Sequence, residues 1–239
     1  MPTSISEMDS PPKALVPVRG RPLLAHVMDR LVAAGATRLI VNTGRHAEQI
    51  AAFLEWHTPA GVEVALSHEP DGPYDTGGGL LAAAPLFRKD GPFLLHNVDV
   101  LSRIPLDALL AEHLAAGPRA GGRLVATVAV QDRGAGRQLL FDDEGLMGWE
   151  RRGSDGAVRE SRHVREPVGP LRRWSFAGIQ VVDPAVFGIS DSTGSFPIRT
   201  LYLDLAQRGY RILPVDVSAW EWFEVGTPER LAEAEVRLG

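Results

Sequence analysis

An α/β fold with a mixed, mostly parallel sheet and helices on both faces is predicted by three observations. Leu23, Leu24, Val27, Met28, Leu31 and Val32 recur at helical spacing between Pro22 and Ala34 and close at Gly35. A short apolar strand, Leu39-Ile-Val-Asn42, follows at once. The same alternation then repeats as far as the run Phe93-Leu-Leu-His96, which is the signature of a parallel sheet covered by helices.

Taken in order, Arg45 to Trp56 reads as a second amphipathic helix and Val62 to Leu66 as a second strand. Gly79 to Phe87 reads as a third helix, leading into the strand Phe93 to His96. Leu106 to Leu114 is a further helix and Leu124 to Val130 a continuous apolar strand, after which Gln138 to Trp149 turns β-rich. Arg151 to Arg173 is dense in Arg, Glu, Gly and Pro without periodicity and is expected to be a mobile loop. Strand Ser175 to Val182, helix Pro197 to Arg208, strand Arg211 to Val215 and helix Pro228 to Leu238 complete what is expected to be one domain over 1–239.

Composition narrows the function. With no cysteine among 239 residues, disulfides, thiolate metal sites and thiol redox chemistry are excluded, and a reducing cytoplasm is the expected compartment. No apolar run approaches the ~20 residues that span a bilayer, so no membrane partner is expected. A net charge of -5, with arginines scattered among acids, argues against nucleic acid. Seven dispersed histidines without His-x-His or His-Glu-x-x-His spacing argue against zinc, which leaves carboxylate-held magnesium as the plausible metal. Oligomeric state is not visible in the sequence, and a homo-oligomer is compatible with it.

Four segments carry candidate chemistry. The run Phe93-Leu-Leu-His-Asn-Val-Asp99 delivers Asn97 and Asp99 to the end of a buried strand, the edge of the ligand crevice in an open parallel sheet. An Asp there serves as turn former, helix N-cap or ligand. Glu224, before Val-Gly-Thr-Pro, also ends a strand just upstream of a helix, with Thr227 as N-cap and Pro228 at N1; it is either a solvated acid or a second oxygen ligand. In Asp75-Thr76-Gly77-Gly78-Gly79 three bare glycines at a loop-to-helix junction let amides approach a base or phosphate, or simply form a surface turn. Lys13 is one of two lysines, with Lys89, and its compact ammonium suits a phosphate oxygen or plain solvent.

Assembled in this order, the segments resemble the sugar-1-phosphate nucleotidyltransferases, which include mannose-1-phosphate guanylyltransferases and N-acetylmuramate-1-phosphate uridylyltransferases. Pro12-Lys13-Ala-Leu-Val-Pro-Val-Arg-Gly-Arg-Pro-Leu24 is similar to the family's Pro-Lys-x-Leu-x-Pro-Val-x-Gly-x-Pro-Leu. Asp75-Thr-Gly-Gly-Gly79 is similar to its Glu-Thr-Gly-Gly-Gly, Asn97-Val98-Asp99 to its Asn-Gly-Asp, and Phe176-Ala-Gly178-Ile to its Ser-Gly-Ile. Phe223-Glu224-Val-Gly-Thr-Pro-Glu-Arg-Leu-Ala-Glu-Ala resembles Trp-x-Asp-Val-Gly-Thr-x-Glu-Arg-Leu-Ala-Glu-Ala.

The resemblance implies a nucleotide-diphospho-sugar transferase fold. It also implies Lys13 on substrate phosphate, Asp99 and Glu224 on Mg²⁺, and Asp75, Thr76, Gly77, Gly78, Gly79, Asn97 and Gly178 against nucleotide and sugar. The implied partners are a nucleoside triphosphate and a sugar-1-phosphate, and the implied products a nucleotide sugar and pyrophosphate. Three departures stand out. The family's opening strand and Gly-x-Gly-x-Arg loop are not found ahead of Pro12, Val98 replaces a glycine, and Glu224 replaces an aspartate. The first departure leaves three expectations open: an active transferase, a nucleotide-sugar-binding homologue with impaired catalysis, or a true start upstream of Met1.

Overall fold

The computed structural model describes residues 12–44, 46–69, 74–134 and 136–237. The segment 1–11, Arg45 at the expected start of the second helix, and Leu238 at the expected end of the last lie outside the described residues. The chain enters through a two-residue hairpin, β1 (Pro17–Val18) and β2 (Arg21–Pro22). Its central residues Arg19 and Gly20 both take positive φ, as a type I′ turn requires. Helix α1 (Leu23–Ala33) buries Leu23, Leu24, Val27 and Met28 along one face and stops at Gly35, whose φ of 94° is open to glycine at little cost. Then come β3 (Arg38–Thr43), α2 (Ala47–His57), β4 (Glu63–His68), α3 (Asp75–Ala82), β5 (Phe93–His96), β6 (Val100–Ser102) and α4 (Leu106–Ala116). The second half runs β7 (Leu124–Gln131), β8 (Gly136–Asp142), β9 (Gly145–Arg152), β10 (Val158–His163), β11 (Arg172–Val182), α5 (Val186–Ile189), α6 (Ile198–Gln207), β12 (Arg211–Asp216), β13 (Trp222–Glu224) and α7 (Pro228–Arg237).

The main sheet has the order β10-β9-β8-β11-β7-β12, with β5 also paired to β11. Strands β7 and β12 are parallel and the other pairs in this sheet antiparallel. A parallel pair β3–β4 and an antiparallel ribbon β6–β13 stand apart from it. The sheet is therefore mixed, as expected, with helices on both faces, but it is mostly antiparallel rather than mostly parallel, because β8 to β11 run as neighbouring antiparallel strands and β11 lies antiparallel between β5 and β7. All eight residues of β7 are buried, and alternation sends them two ways. Ala126, Val128 and Val130 pack with Leu201, Tyr202 and Leu205 of α6, whereas Ala129 packs with Leu106 and Leu109 of α4. Among the described residues no strand pairs with the second edge of either β3 or β5, and no helix is long and apolar enough to cross a membrane.

Two further expectations are corrected. Arg151 to Arg173 is not a loop throughout: β9 continues to Arg152, β10 pairs with it, and β11 begins at Arg172. Every residue of β10 is exposed, so no hydrophobic alternation marks it. It is held by backbone bonds to β9 and by the cross-strand pair Arg151–Glu160 at 3.5 Å. The third helix begins at Asp75 rather than Gly79, which puts all three glycines inside its first turns.

Candidate functional site

Lys13 lies in a single 3₁₀ turn (Lys13–Leu15), and its Nζ stands 2.5 Å from Asp99 Oδ2 across 86 residues of sequence. Asp99 occupies the turn between β5 and β6, which is closed by the Val100 N–H donating to the Asn97 carbonyl at 3.2 Å. The Asp99 carbonyl accepts the Val225 N–H at 2.8 Å, and Glu224 pairs with Val100 in the β6–β13 ribbon. The two acids, 125 positions apart in the sequence, thus sit on adjoining backbone, one residue out of register. A methyl group built on Gly226 would stand 3.7 Å from Lys13 Nζ, which places the chain after Glu224 against the same ammonium. The Asp99 carboxylate faces Lys13, and the Glu224 carboxylate accepts from Arg230 in the first turn of α7. Thr227 caps that helix, its hydroxyl oxygen accepting the Arg230 N–H at 3.4 Å.

Gly178 explains how β11 reaches this place. At φ +76°, it sits in the irregularity between Phe176 and Gln180 where β11 changes register against β7. Its carbonyl accepts the Asn97 N–H at 2.9 Å. A Cβ there would stand 2.8 Å from Val100 Cγ2 and 3.2 Å from Asn97 Nδ2, so both the backbone angle and the space select glycine. The neighbouring Ala177 carbonyl accepts from Trp222 Nε1 at 2.7 Å, tying β11 to the ribbon that carries Glu224.

The glycines Gly77, Gly78 and Gly79 serve close packing. The Gly77 and Gly78 amides donate to the Phe196 carbonyl at 3.0 and 3.2 Å, so these two N–H groups are already engaged. A Cβ on Gly77 would lie 2.6 Å from the Phe196 ring, one on Gly78 2.1 Å from the Gly194 carbonyl oxygen, and one on Gly79 2.4 Å from Asn42 Nδ2 and 2.5 Å from Glu69 Oε1. The bare amides expected at a loop junction are therefore replaced by a helix seated on the 194–196 segment. Thr76 does not cap the helix through its side chain; its N–H donates to Asp75 Oδ1 at 2.6 Å, and Asp75 itself takes φ +56°. Gly78→Ala forces a methyl onto a backbone oxygen that cannot swing away, so a loss of roughly 2–3 kcal/mol in urea or thermal unfolding is expected. An unchanged transition would show that this packing is absent.

Three side chains here were not singled out from the sequence. Glu69, buried just beyond β4, accepts the Tyr74 N–H at 3.0 Å and touches the Gly79 position; the logic of an acid at a strand end, applied to Asp99, would have found it. Arg133, just beyond β7, lies 4.2 Å over the Trp222 ring and donates to the Phe176 carbonyl at 2.5 Å. Burial pulls its pKa down while the Glu224 charge holds it up, so a cation faces this acid from a second element. His96 donates from Nδ1 to the Asn97 carbonyl at 2.8 Å, and burial pushes its pKa down to about 4, so the ring is neutral beside Asp99.

The donor set fits magnesium better than a metal needing a full protein cage. Among the described residues no group of three or more His, Asp or Glu gathers around one point. Magnesium is commonly held by one or two carboxylates, with waters and substrate phosphate filling its octahedron, and the turn before β6 and the end of β13 carry one each on adjoining backbone. Lys13 and Arg230 serve as their counter-charges.

Comparison with known proteins bears on this arrangement. The sequence profile described as the MobA-like NTP transferase domain matches residues 6–170. An N-acetylmuramate alpha-1-phosphate uridylyltransferase of Neisseria meningitidis serogroup B is 38% identical over 114 residues, 45% of this chain and 49% of that protein. A mannose-1-phosphate guanyltransferase of Gibberella zeae is 36% identical over 120 residues, covering 49% of this chain and 32% of its own length. The chain thus spans about half or less of these two relatives. An N-acetylmuramate alpha-1-phosphate uridylyltransferase of Caulobacter vibrioides is 28% identical across 95% of this chain and 88% of its own. Among solved structures, a UDP-glucose pyrophosphorylase from Acinetobacter baumannii superposes with a TM-score of 0.73 at 17% identity, covering 98% of this chain and 88% of that one, a likeness of fold.

Proposed function

Because the chain belongs to the MobA-like NTP transferase domain family, we propose that it transfers a nucleotidyl group from a nucleoside triphosphate to a sugar-1-phosphate. The observation that carries this reading is the convergence of Lys13, Asp99 and Glu224 from three distant segments, with Lys13 Nζ 2.5 Å from Asp99 and Glu224 opposite Val100. The names of the relatives, uridylyl and guanylyl transferases of sugar 1-phosphates, support the same reaction class.

In the proposed reaction an oxygen of the sugar-1-phosphate forms a bond to the α-phosphorus, and the bond from that phosphorus to the bridging oxygen breaks. The electron pair leaves on pyrophosphate, and no covalent protein intermediate or protein-borne proton is required. The obstacle is mutual repulsion of two polyanions, so the work of the site is positioning and neutralising charge. Lys13 is free to turn from Asp99 to a phosphate oxygen, its side chain being half exposed. Arg133 presents a second cation from the end of β7, stacked on Trp222 so that its guanidinium keeps one orientation. Asp99 and Glu224 are the residues that would hold Mg²⁺, which when bound supplies Lewis-acid polarisation of phosphate oxygens. Asn97, fixed by Gly178, and the Asp75–Gly79 helix start border the space left for base and sugar. The lack of cysteine suits the cytoplasm, where we place the protein.

The test is magnesium-dependent pyrophosphate release across the four common nucleoside triphosphates with a panel of sugar-1-phosphates. At least one pair is expected to turn over, and Lys13→Ala is expected to lower kcat/KM on the order of 10²-fold. Tight nucleotide-sugar binding with no release from any pair would overturn catalysis in favour of a binding role.

A further inference from the structure

At the far end of the sheet from Asp99, where β7 and β12 begin, a cavity of about 320 Å³ opens among Arg119, Arg123, Arg165, Arg211, Glu144 and Tyr210. Strand β7 separates it from Arg133 by eight residues, roughly 25 Å at ~3.3 Å per residue. Four guanidiniums around one cavity are unusual in a chain whose net charge is -5. Arg165 is neutralised by Asp142, with contacts of 2.5 and 2.6 Å. Arg211 has only a long 3.5 Å contact with Glu144. Among the described residues no acceptor meets the guanidinium of Arg119 or Arg123. Solvated surface arginines are the plain alternative, but two of these four, Arg123 and Arg211, are held together by backbone. The Arg211 N–H donates to the Arg123 carbonyl at 2.7 Å, and a Cβ on Gly209 would come within 3.3 Å of Arg123 Nη1. The glycine, at φ +83°, leaves room for the guanidinium to lie across the chain there.

We propose that this cavity is a binding site for a small phosphorylated anion, separate from the nucleotidyl-transfer site. Arg119, Arg123 and Arg211 meet the phosphate oxygens, and the organic part lies toward Tyr210. Guanidinium forks match phosphate geometry with paired N–H donors. The volume stands at the lower end of the range for ligand pockets, which suits a phosphate monoester or a diphosphate.

The experiment is a titration of the ¹⁵N-labelled full chain with inorganic phosphate and, separately, pyrophosphate at constant ionic strength, following the backbone amides of Gly121, Gly209 and Arg211. Saturable shifts are expected in the unaltered protein and in Lys13→Ala. In the double variant Arg119→Gln, Arg123→Gln, both exposed positions, the apparent Kd should weaken at least tenfold with dispersion of the spectrum retained. The proposal is overturned by absence of saturation at these amides, by equal shifts from chloride, or by undiminished binding in the double variant. Because the amides followed line this cavity and Lys13→Ala weakens only the other site, failure here leaves the transferase reading untouched, and the reverse holds too.

Discussion

Asp99→Asn is expected to lower pyrophosphate release by about 10³-fold or more while leaving the fold in place, a loss of about 4 kcal/mol in transition-state stabilisation. The amide keeps the shape of the carboxylate and removes its charge, so the anion that faces Lys13 and that would hold the metal disappears with little disturbance of packing. Two facts separate this effect from instability. The Lys13–Asp99 pair is half open to water on the lysine side, and pairs of that kind contribute at most about 1 kcal/mol to stability. The position of Asp99 is fixed by its backbone, through the Val225 N–H on its carbonyl and the Val100–Asn97 turn, neither of which the substitution touches. Unfolding should therefore shift by only a few degrees while turnover collapses. Glu224→Gln should lose less, because Arg230 already draws that carboxylate and its longer arm makes it the more adjustable of the two. Turnover of Asp99→Asn within tenfold of the unaltered chain would remove Asp99 from the chemistry.

The largest loss of stability is expected from Arg165→Met. The Asp142 side chain is completely buried and takes both guanidinium nitrogens of Arg165 at 2.5 and 2.6 Å, with the Val168 and Glu144 amides adding bonds of 2.7 and 2.9 Å. Burial alone would push this carboxyl up; the hydrogen bonds and charge of Arg165 and the two amides outweigh it and hold the pKa at about 2. Removing the arginine strands an ionised carboxylate in the interior, with an expected cost of about 3–5 kcal/mol in equilibrium denaturation. The sign of the pH dependence follows. In the unaltered protein the Asp142 contribution is complete above its ordinary value of 3.8 and is lost as pH falls toward 2. His96, held near 4 by burial, adds a term that is complete above 6.5 and lost as pH falls toward 4. In Arg165→Met the stranded carboxyl titrates higher, so the deficit relative to the unaltered protein should shrink between pH 7 and pH 4. A deficit independent of pH would mean that lost packing of the arginine stem, and not the charge, sets the cost.

Much of this architecture was legible from local patterning, and the parts that were not share a cause. Helix α1, with Leu23, Leu24, Val27 and Met28 buried on one stripe, and strand β7, buried throughout, declare themselves because burial leaves a period or a run in the residues. Strand β10 does not, since Val158 to His163 are exposed and its partner is β9 rather than a core. Segments at the site could be read one by one, because strand-end acids and bare glycines are local signals. Their convergence is implied by the family resemblance and by no local signal: the placing of Glu224 opposite Val100 depends on a β6–β13 ribbon between strands of three residues each, too short to carry alternation. The glycines of α3 carry more than their spacing announced, since close packing against Phe196, Gly194, Asn42 and Glu69 by itself demands a bare backbone at each of them. Arg133 went unread because a lone arginine carries meaning only once Trp222 is seen beneath it.

Among the described residues the strand that leads to Asp99 is bonded along one side, β5 to β11, while Asp99 itself is stitched to β13 by the Val225 amide. Lateral rigidity at the carboxylate is consequently supplied by a three-rung ladder that lies beside the broad sheet without pairing to it, with Trp222 acting as the strut to Ala177. The spacing of the two acids is thus governed by a small clip of three residue pairs.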